Sequence, residues 1–498
     1  MDYSKTDTQA ESSLMGTFTL PDGTSAFGVL RIAGEDSMLN LKSDHLLSDI
    51  QAGSSLLGVT FDRQRITCID CLTQGTGQGR RRSEAIHYSA EIFPHFVTVG
   101  SQHLEPDTPT IKGIHFNVDD LPTLFFDFDA FGHVIDADSV IDAVLEGARR
   151  NRPIERGTMP IVAYFTGKVT IVKIDTVIGT VSVNHRPSFD SGGPSGVFIK
   201  NQMVVSIGTE TPMKFMDAIE RMLTLGRFFS IAAGRKQGIS NIHLTISGSD
   251  DEKIPQHLEV YWSHRWESVV HKGMPNRPHP GDVPLSPIGR ADEFVQVIRD
   301  WLAREKTWRV PRIRYLNCLS KGSKYEVNRL VAAANMFDIL PDDPTQAFGN
   351  LSQELAGAKD ACISLLRAQP SGPDRDSALS ALGRMGKPSL TKKINHRADI
   401  VLRQFGSSLS DLPVVVNTAV KCRNYFVHGS SDFDYLKVEH LTPFLTDALE
   451  FIFAASDLID AGWNASNWST QHHSNGHSFA RFMSSYALSV AYLKRALS

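Results

Sequence analysis

Residues 417–429 read Asn417-Thr-Ala-Val-Lys-Cys-Arg-Asn-Tyr-Phe-Val-His-Gly429, and this stretch decides how the second half of the chain folds. Counted at about 100° per residue, the apolar side chains in and just before it fall on one stripe of a helix. The stripe consists of Leu412, Val415, Val416, Ala419, Cys422 and Phe426. Arg423 falls inside it. A guanidinium keeps its proton, so burying it unpaired would cost several kcal/mol, and we expect it to meet a carboxylate, a carbonyl or a ligand anion.

A histidine follows this arginine at the predicted end of the helix. His428 is the type of side chain best suited to exchange protons near neutral pH, and Gly429 can adopt the left-handed conformation that ends a helix. On a straight helix Arg423 and His428 point about 140° apart, whereas Asn424 and His428 share one face at the i,i+4 spacing. We therefore expect a second subunit or a broken helix end to help bring Arg423 and His428 together.

The segment Arg423-Asn424-Tyr425-Phe426-Val427-His428 resembles the HEPN ribonuclease motif, in which an arginine is followed by a polar residue and, after four to six intervening residues, a histidine. The wider layout is a β-rich front half opening with Gly16-Thr-Phe-Thr-Leu-Pro-Asp-Gly23 and a helical back half, and it resembles ApeA-like HEPN proteins, a bacterial anti-phage group. The resemblance implies catalytic roles for Arg423, His428 and Asn424, and a homodimer that joins two motifs in one composite site. The alternative is a structural Arg423 salt bridge beside an incidental, exposed His428.

The chemistry that such a motif can carry is cleavage of RNA without a metal ion or cofactor. RNA holds its own nucleophile, the 2′-OH, so a catalyst removes that proton, protonates the leaving 5′ oxygen and stabilises charge on the phosphate. A histidine suits the proton transfers and an arginine suits the charge. We expect Asn424 to fix the imidazole tautomer or to contact the phosphate.

Composition limits the class of protein. The chain has 498 residues, of which 41% are apolar and 21% charged, as in an ordinary globular protein with room for two to four domains. Its formal net charge of -4 argues against a broad RNA-coating role, so any RNA contact must come from local patches. Five scattered cysteines form no disulfide framework, and the sequence shows no signal peptide and no membrane-spanning run. We expect a cytoplasmic protein with no membrane contact.

The pattern along the chain predicts an α+β multidomain architecture. Residues 1–14 are expected to form a disordered tail, and residues 15–270 a β-rich, sandwich-like or barrel-like domain crossed by one helix near 212–232. Prolines between His271 and Pro287 forbid regular pairing, so residues 271–287 are predicted to be a linker. Residues 288–498 show helical periodicity and predict an antiparallel all-α bundle, which the resemblance implies is a HEPN ribonuclease domain.

Several side chains in the helical half are candidates for supporting the motif. Asp338, on the second predicted helix, could orient or neutralise Arg423, or could be solvated near a helix end. Lys392, Lys393, His396 and Arg397 lie on consecutive turns of a predicted helix and would contact RNA phosphates if they faced the motif, although a solvated basic face is the commoner arrangement.

No metal site is predicted from this sequence. Cys68-Ile-Asp-Cys71 has the spacing of half a zinc knuckle, but no second pair follows at a useful distance, so both cysteines are interpreted as structural. The histidines His472, His473 and His477 are assigned to a loop, because Ser474-Asn-Gly476 interrupts any helix there.

Two hypotheses for the whole chain stay open at this point. In the first, the helical half is an endoribonuclease toxin of abortive infection that cuts cellular or phage RNA, and the β-rich half senses a phage protein or another infection signal. In the second, the bundle is a non-catalytic dimerisation or nucleotide-binding module, and the β-rich half binds a ligand.

Overall fold

The structure is a computed structural model that describes residues 11–47, 50–79, 86–190, 194, 196–247, 256–264, 277–341, 351–429 and 433–498. The chain divides into two compact units, residues 1–303 and residues 304–498. Among the described residues, no helix is long and apolar enough to cross a membrane.

The first unit is built mainly of strands. These are β1 (Ser12–Thr19), β2 (Ser25–Ile32), β3 (Met38–Ser43), β4 (Ser54–Thr60), β5 (Arg65–Gly79), β6 (His87–Gly100), β7 (Ile111–Val118), β8 (Phe131–Ile135), β9 (Ile161–Phe165), β10 (Thr170–Thr176), β11 (Gly179–His185), β12 (Ser188–Asp190), β13 (Phe198–Lys200), β14 (Met203–Met213), β15 (Ile239–Ile246) and β16 (Gln256–Trp262). Its helices are α1 (Leu121–Leu124), α2 (Asp138–Arg149), α3 (Phe215–Ala233) and α4 (Ala291–Ala303).

Six of these strands close into an antiparallel barrel. The pairing runs β6-β3-β2-β1-β4-β5, and β5 pairs again with β6 to complete the ring. Phe18 is fully buried inside it. A Cβ atom added at Gly28 would lie 2.6 Å from Phe18 Cδ2, and one added at Gly58 would lie 2.5 Å from Phe18 Cε1. The two glycines therefore make room for the ring, and the barrel form of the predicted β-rich module is confirmed.

The sheet continues beyond the barrel through β6. Strands β16, β15, β7, β14, β11 and β10 follow in that order. The predicted helix near 212–232 is confirmed as α3, which packs on β7 and β14 and ends at Gly234, whose φ of 66° is left-handed. The apolar face of α3 and the inward side chains of this extension form the second part of the unit's core.

The start of the chain differs from the predicted tail. Residues 1–10 lie outside the described residues, but Ser12 to Leu14 belong to β1, where they pair with residues 30–32 of β2. The prediction of a disordered tail through residue 14 is therefore wrong for Ser12 to Leu14. These residues form a strand because β2 extends far enough to pair with their backbone.

The boundary between the two units also lies later than the proline-rich stretch. Residues 271–276 of the predicted linker fall outside the described residues. Helix α4 packs against α3, with the Phe228 and Trp301 ring centroids 5.4 Å apart and those of Phe228 and Phe294 6.2 Å apart. Helix α4, which falls inside the segment predicted to form the bundle, thus packs its apolar face on the β-rich unit, and the second unit begins at Arg304.

The second unit is helical in the part of it that the structure describes. Its helices are α5 (Glu305–Leu319), α6 (Val327–Asn335), α7 (Gln353–Arg367), α8 (Pro373–Arg384), α9 (Leu390–Phe405), α10 (Leu412–His428), α11 (Thr442–Asp460), α12 (Ala465–Ser469) and α13 (Ser478–Leu497). The predicted helical back half is confirmed.

A buried ionic cluster holds α5 against α11. Asp457 is fully buried and accepts hydrogen bonds from Arg312 Nε at 2.9 Å and from its second terminal nitrogen at 3.0 Å, while Arg304 pairs with it at 3.0 Å. Burial alone would raise the pKa of Asp457, but the surrounding arginines outweigh it and hold the pKa below its usual range. The carboxylate therefore stays charged in the core, with arginines to compensate it.

A second, half-buried carboxylate on α11 shows the opposite shift. Asp447 accepts hydrogen bonds from the Tyr325 hydroxyl at 2.8 and 2.9 Å. Burial, with a smaller contribution from the nearby Glu450, raises the pKa of Asp447 to about 6. Its charged form is therefore disfavoured by the fold.

Candidate active site

Helix α10 carries the motif residues, and its burial follows the predicted stripe for most of its length. Leu412, Val415, Val416, Ala419 and Cys422 are fully buried. Phe426 is 38% exposed, so its place in the stripe was predicted wrongly. The last turn of the helix lies beyond the edge of the core and its side chains reach solvent. Gly429 then ends the helix with a φ of 65°, and its N–H donates to the carbonyl of Tyr425 at 3.0 Å.

The structure brings Arg423 and His428 into direct contact within one chain. A terminal nitrogen of Arg423 lies 2.9 Å from His428 Nε2, although α10 remains helical through His428. The expectation that a second subunit or a broken helix end is needed for this contact is wrong. The arginine side chain is long and flexible enough to cross the angle between the two positions at the exposed helix end.

This contact fixes which imidazole nitrogen carries the proton. A guanidinium can only donate hydrogen bonds, so His428 Nε2 must offer its lone pair. The proton of the neutral ring then resides on Nδ1. The ring is exposed, while the Arg423 side chain is only 14% exposed. The pair therefore sets an exposed imidazole against a cation held largely inside the protein.

Two amide oxygens and a carboxylate hold Arg423. Its Nε donates to Asn335 Oδ1 at 3.0 Å, and a terminal nitrogen donates to Asn424 Oδ1 at 3.1 Å. Its other terminal nitrogen lies 3.8 Å from Asp338 Oδ2. The predicted meeting of Arg423 with Asp338 therefore exists, but as a loose pair, because Asp338 lies in the turn after α6 and its side chain is 42% exposed. The position of Asn424 supports Arg423 directly, in addition to any role toward His428 or a phosphate.

Asn335 is the site residue that the sequence did not reveal. It is the last residue of α6, 88 residues before Arg423 in the chain. An asparagine at a helix end is commonplace as a cap or turn residue, so nothing in the local pattern distinguished it. A possible signal was its spacing of three residues from Asp338, which places both at the same end of α6.

The predicted phosphate-contacting residues separate into two kinds. Lys393 Nζ donates to the backbone carbonyl of Asp338 at 2.8 Å, beside the Arg423 environment, and Lys392 is exposed. Arg397 is only 4% exposed; it donates to Ser456 Oγ at 2.9 Å and to Asp460 at 2.6 Å. The prediction that Arg397 contacts RNA is wrong, because the neighbouring α11 supplies buried acceptors that hold its side chain in the core.

The cysteines and histidines whose spacing resembles that of metal ligands have structural surroundings in the described part of the chain. Among the described residues, no group of three or more histidine, cysteine or acidic side chains is placed to hold a metal ion. Cys68 and Cys71 are buried in β5, and burial raises the pKa of the Cys71 thiol to about 12. His477 accepts from the N–H of Phe479 at 3.1 Å and so caps α13, and the preceding loop at 472–477 is confirmed.

The fold and the site together define a two-part protein: a β-rich unit on a closed barrel and a helical HEPN unit with an arginine–histidine pair at the end of one helix. A family model described as Apea-like HEPN matches residues 331–467, and one described as ApeA N-terminal domain 1 matches residues 13–301. Since the second match covers more than half of the chain, the protein belongs to the ApeA-like HEPN family, a HEPN nuclease-type family of anti-phage defence. No curated protein and no solved structure matches the chain.

Proposed function

We propose that this protein is a metal-independent endoribonuclease that acts in anti-phage defence by cutting cellular or phage RNA. The observation that carries the proposal is the contact of 2.9 Å between Arg423 and His428 Nε2. It places a permanent cation against Nε2 of an exposed imidazole. A phosphate bound to Arg423 would therefore lie beside a group that can take a proton.

The proposed reaction uses the 2′-OH of the RNA as the nucleophile. His428 takes the proton from the 2′-OH while the O2′–P bond forms and the P–O5′ bond breaks, and the leaving O5′ receives a proton from an imidazolium or from water. Arg423 stabilises the charge that builds on the phosphate oxygens. The products would carry a 2′,3′-cyclic phosphate and a 5′-OH, because the attacking oxygen comes from the RNA.

A phosphate would have to replace part of the present hydrogen bonding of Arg423. One terminal nitrogen of Arg423 contacts both His428, at the exposed side, and Asn424, whereas Nε donates to Asn335. Substrate binding would therefore release Nε2 of His428 while the two amides keep Arg423 in place.

The test is cleavage of total cellular RNA by the purified protein in EDTA, followed by mapping of the cut ends. Arg423→Ala and His428→Ala should abolish cleavage while the protein stays folded, because each removes one essential chemical group. Asn424→Ala should weaken cleavage less. Arg403→Ala and His472→Ala remove exposed residues of the same types from the same unit and serve as matched controls. Cleavage by His428→Ala at the wild-type rate, or a requirement for magnesium, would show that the pair is not the active site, and no cleavage by wild type would favour a non-catalytic binding module.

We also propose that the first unit senses an infection signal and restrains the nuclease, since an unrestrained ribonuclease would harm its host. The compact boundary at Arg304 defines the fragment that tests this. Expression of residues 304–498 alone should change basal toxicity or abolish activation by phage. Wild-type behaviour from that fragment would contradict a regulatory role for residues 1–303.

A further inference from the structure

Three aromatic rings form a cluster at the end of α10, beside the arginine–histidine pair. Tyr425 and Tyr435 are stacked, with ring centroids 5.6 Å apart and an interplanar angle of 15°. Phe426 meets Tyr435 edge to face at 4.6 Å and Tyr425 at 5.1 Å. We call Tyr425, Phe426 and Tyr435 the aromatic cluster. Its three rings are in mutual contact and hold one another in a fixed arrangement.

One ring of the aromatic cluster is buried and the other two are partly exposed. Tyr435 is buried, and its hydroxyl shares a hydrogen bond of 2.9 Å with Thr442 at the start of α11. Tyr425 and Phe426 keep 37% and 38% of their surface exposed. Exposed aromatic side chains on a rigid support cost little conformational entropy when they bind a ligand, because Tyr435 already restricts the Tyr425 ring.

Helix geometry places Tyr425 next to the proton-accepting residue. Tyr425 and His428 are separated by three positions, which puts them side by side on the helix surface, with Cβ atoms about 5–6 Å apart in a regular helix. Phe426 has the same relation to Arg423. The aromatic cluster therefore borders both members of the pair at which the phosphate would bind.

We propose that the aromatic cluster is a stacking platform for a nucleobase of single-stranded RNA, and that Tyr425 holds the base of a nucleotide flanking the scissile phosphate. This inference rests on the proposed ribonuclease function. Unpaired bases stack on exposed aromatic rings, and such stacking tolerates any base because every base has a π face. A platform here would select unpaired RNA over duplex, since bases inside a duplex already stack on one another.

The site also explains how a short motif could position its substrate. Arg423 and His428 recognise only a phosphate and a hydroxyl, which every nucleotide offers. A base fixed on Tyr425 would limit rotation of the chain and place one particular 2′-OH near His428 Nε2. Tyr425 would thus act as a positioning residue that binds the substrate, while the chemistry stays with the arginine–histidine pair.

The experiment compares Tyr425→Leu with Tyr425→Phe in single-turnover cleavage of a short unstructured RNA. Leucine keeps an apolar contact with Tyr435 but has no ring, so cleavage at subsaturating enzyme should fall about tenfold, which equals about 1.4 kcal/mol. Phenylalanine keeps the ring and should cleave within about twofold of wild type. Tyr492→Leu, on α13, removes another exposed tyrosine of the same unit and should have no effect.

A substrate with an abasic nucleotide at each position beside the cut separates stacking from mere structural damage. At the stacked position, the missing base should slow the wild-type enzyme about tenfold and leave Tyr425→Leu nearly unaffected, because the lost partner is the same in both cases. Equal slowing of both enzymes at every position would overturn the proposal. So would a change in oligomeric state on Tyr425→Leu with the abasic effect intact, which would assign the cluster to a contact between protein chains.

The two proposals fail in different ways. If wild-type protein does not cleave RNA, or Arg423→Ala cleaves normally, the ribonuclease function itself is wrong. If wild type cleaves, Arg423→Ala does not, and Tyr425→Leu cleaves at the wild-type rate, only the stacking platform is wrong.

Discussion

Replacing Asn335 by alanine tests whether the folded chain orients Arg423 before RNA binds. The Asn335 oxygen accepts from Arg423 Nε at 3.0 Å, and a hydrogen bond from a charged donor contributes about 1.5–3 kcal/mol. If that whole contribution acts in the transition state, the cleavage rate should fall about 10- to 150-fold, since 1.36 kcal/mol corresponds to tenfold. Part of the loss will be recovered by water at the vacated position, so we expect a value toward the lower end.

Asp338 gives the contrast that makes this prediction decisive. Its carboxylate lies 3.8 Å from the guanidinium and its side chain is 42% exposed. Exposed ion pairs contribute about 0–1 kcal/mol, so Asp338→Ala should lower the rate by less than about fivefold. A carboxylate carries the larger charge, yet the structure predicts that the neutral amide matters more, because it is closer and aimed at Nε.

The assay is single-turnover cleavage of one RNA by wild type, Asn335→Ala, Asn335→Asp and Asp338→Ala, with thermal unfolding of each to confirm the fold. Asn335→Asp keeps an acceptor oxygen at the same place and should retain most of the activity. The reasoning is refuted if Asp338→Ala is slower than Asn335→Ala, or if Asn335→Ala matches wild type while Arg423→Ala is inactive.

Three further predictions concern stability. Asp457→Ala leaves the fully buried Arg312 without its main partner and should cost about 3–5 kcal/mol, lowering the Tm of the helical unit by about 6–20 °C in calorimetry. Because the fold raises the pKa of Asp447 to about 6, its contribution to stability is present near pH 4 and is lost as pH rises through 6. Asp447→Asn should therefore stabilise the protein by about 2–3 kcal/mol at pH 7, with no gain at pH 4, in urea titrations. Gly58→Ala should destabilise the barrel by about 1–3 kcal/mol through the clash with Phe18, and an unchanged midpoint of urea unfolding would contradict that packing.

The sequence predicted the helices and strands better than it predicted which of them pack together in one unit. Alternating strands and helical stripes follow from local spacing, so the β-rich front, α3 and the late helices were all recognised. The pattern in α4 correctly indicated a helix with an apolar face, but periodicity does not state what that face packs against. Trp301 and Phe294 meet α3, and so the proline-rich stretch does not mark the boundary. Closure of the barrel depends on β5 pairing with both β4 and β6, which is a long-range property that no local pattern reveals.

In the candidate site, too, residues close together in the sequence were predicted, whereas contacts between different helices were not. Arg423, Asn424 and His428 are close in sequence, and the charge inside an apolar stripe identified them. Asn335 supports Arg423 from another helix, and Arg397 is held in the core by Asp460 of α11. Both depend on which helices are neighbours. Their roles therefore could not be assigned before the bundle was assembled.

The direct contact between Arg423 and His428 also changes the reason for expecting a dimer. One chain already joins the two side chains, so a second copy is not needed to bring an arginine to a histidine. Phosphoryl transfer is an in-line displacement, with the attacking and leaving oxygens on opposite sides of phosphorus. A single imidazole beside one of these oxygens cannot take a proton from the first while it gives a proton to the second. A second His428, supplied across a two-fold axis, would be free to act on the opposite side. We therefore propose that a dimer would serve the need for an acid and a base at once, and not the reach of one arginine.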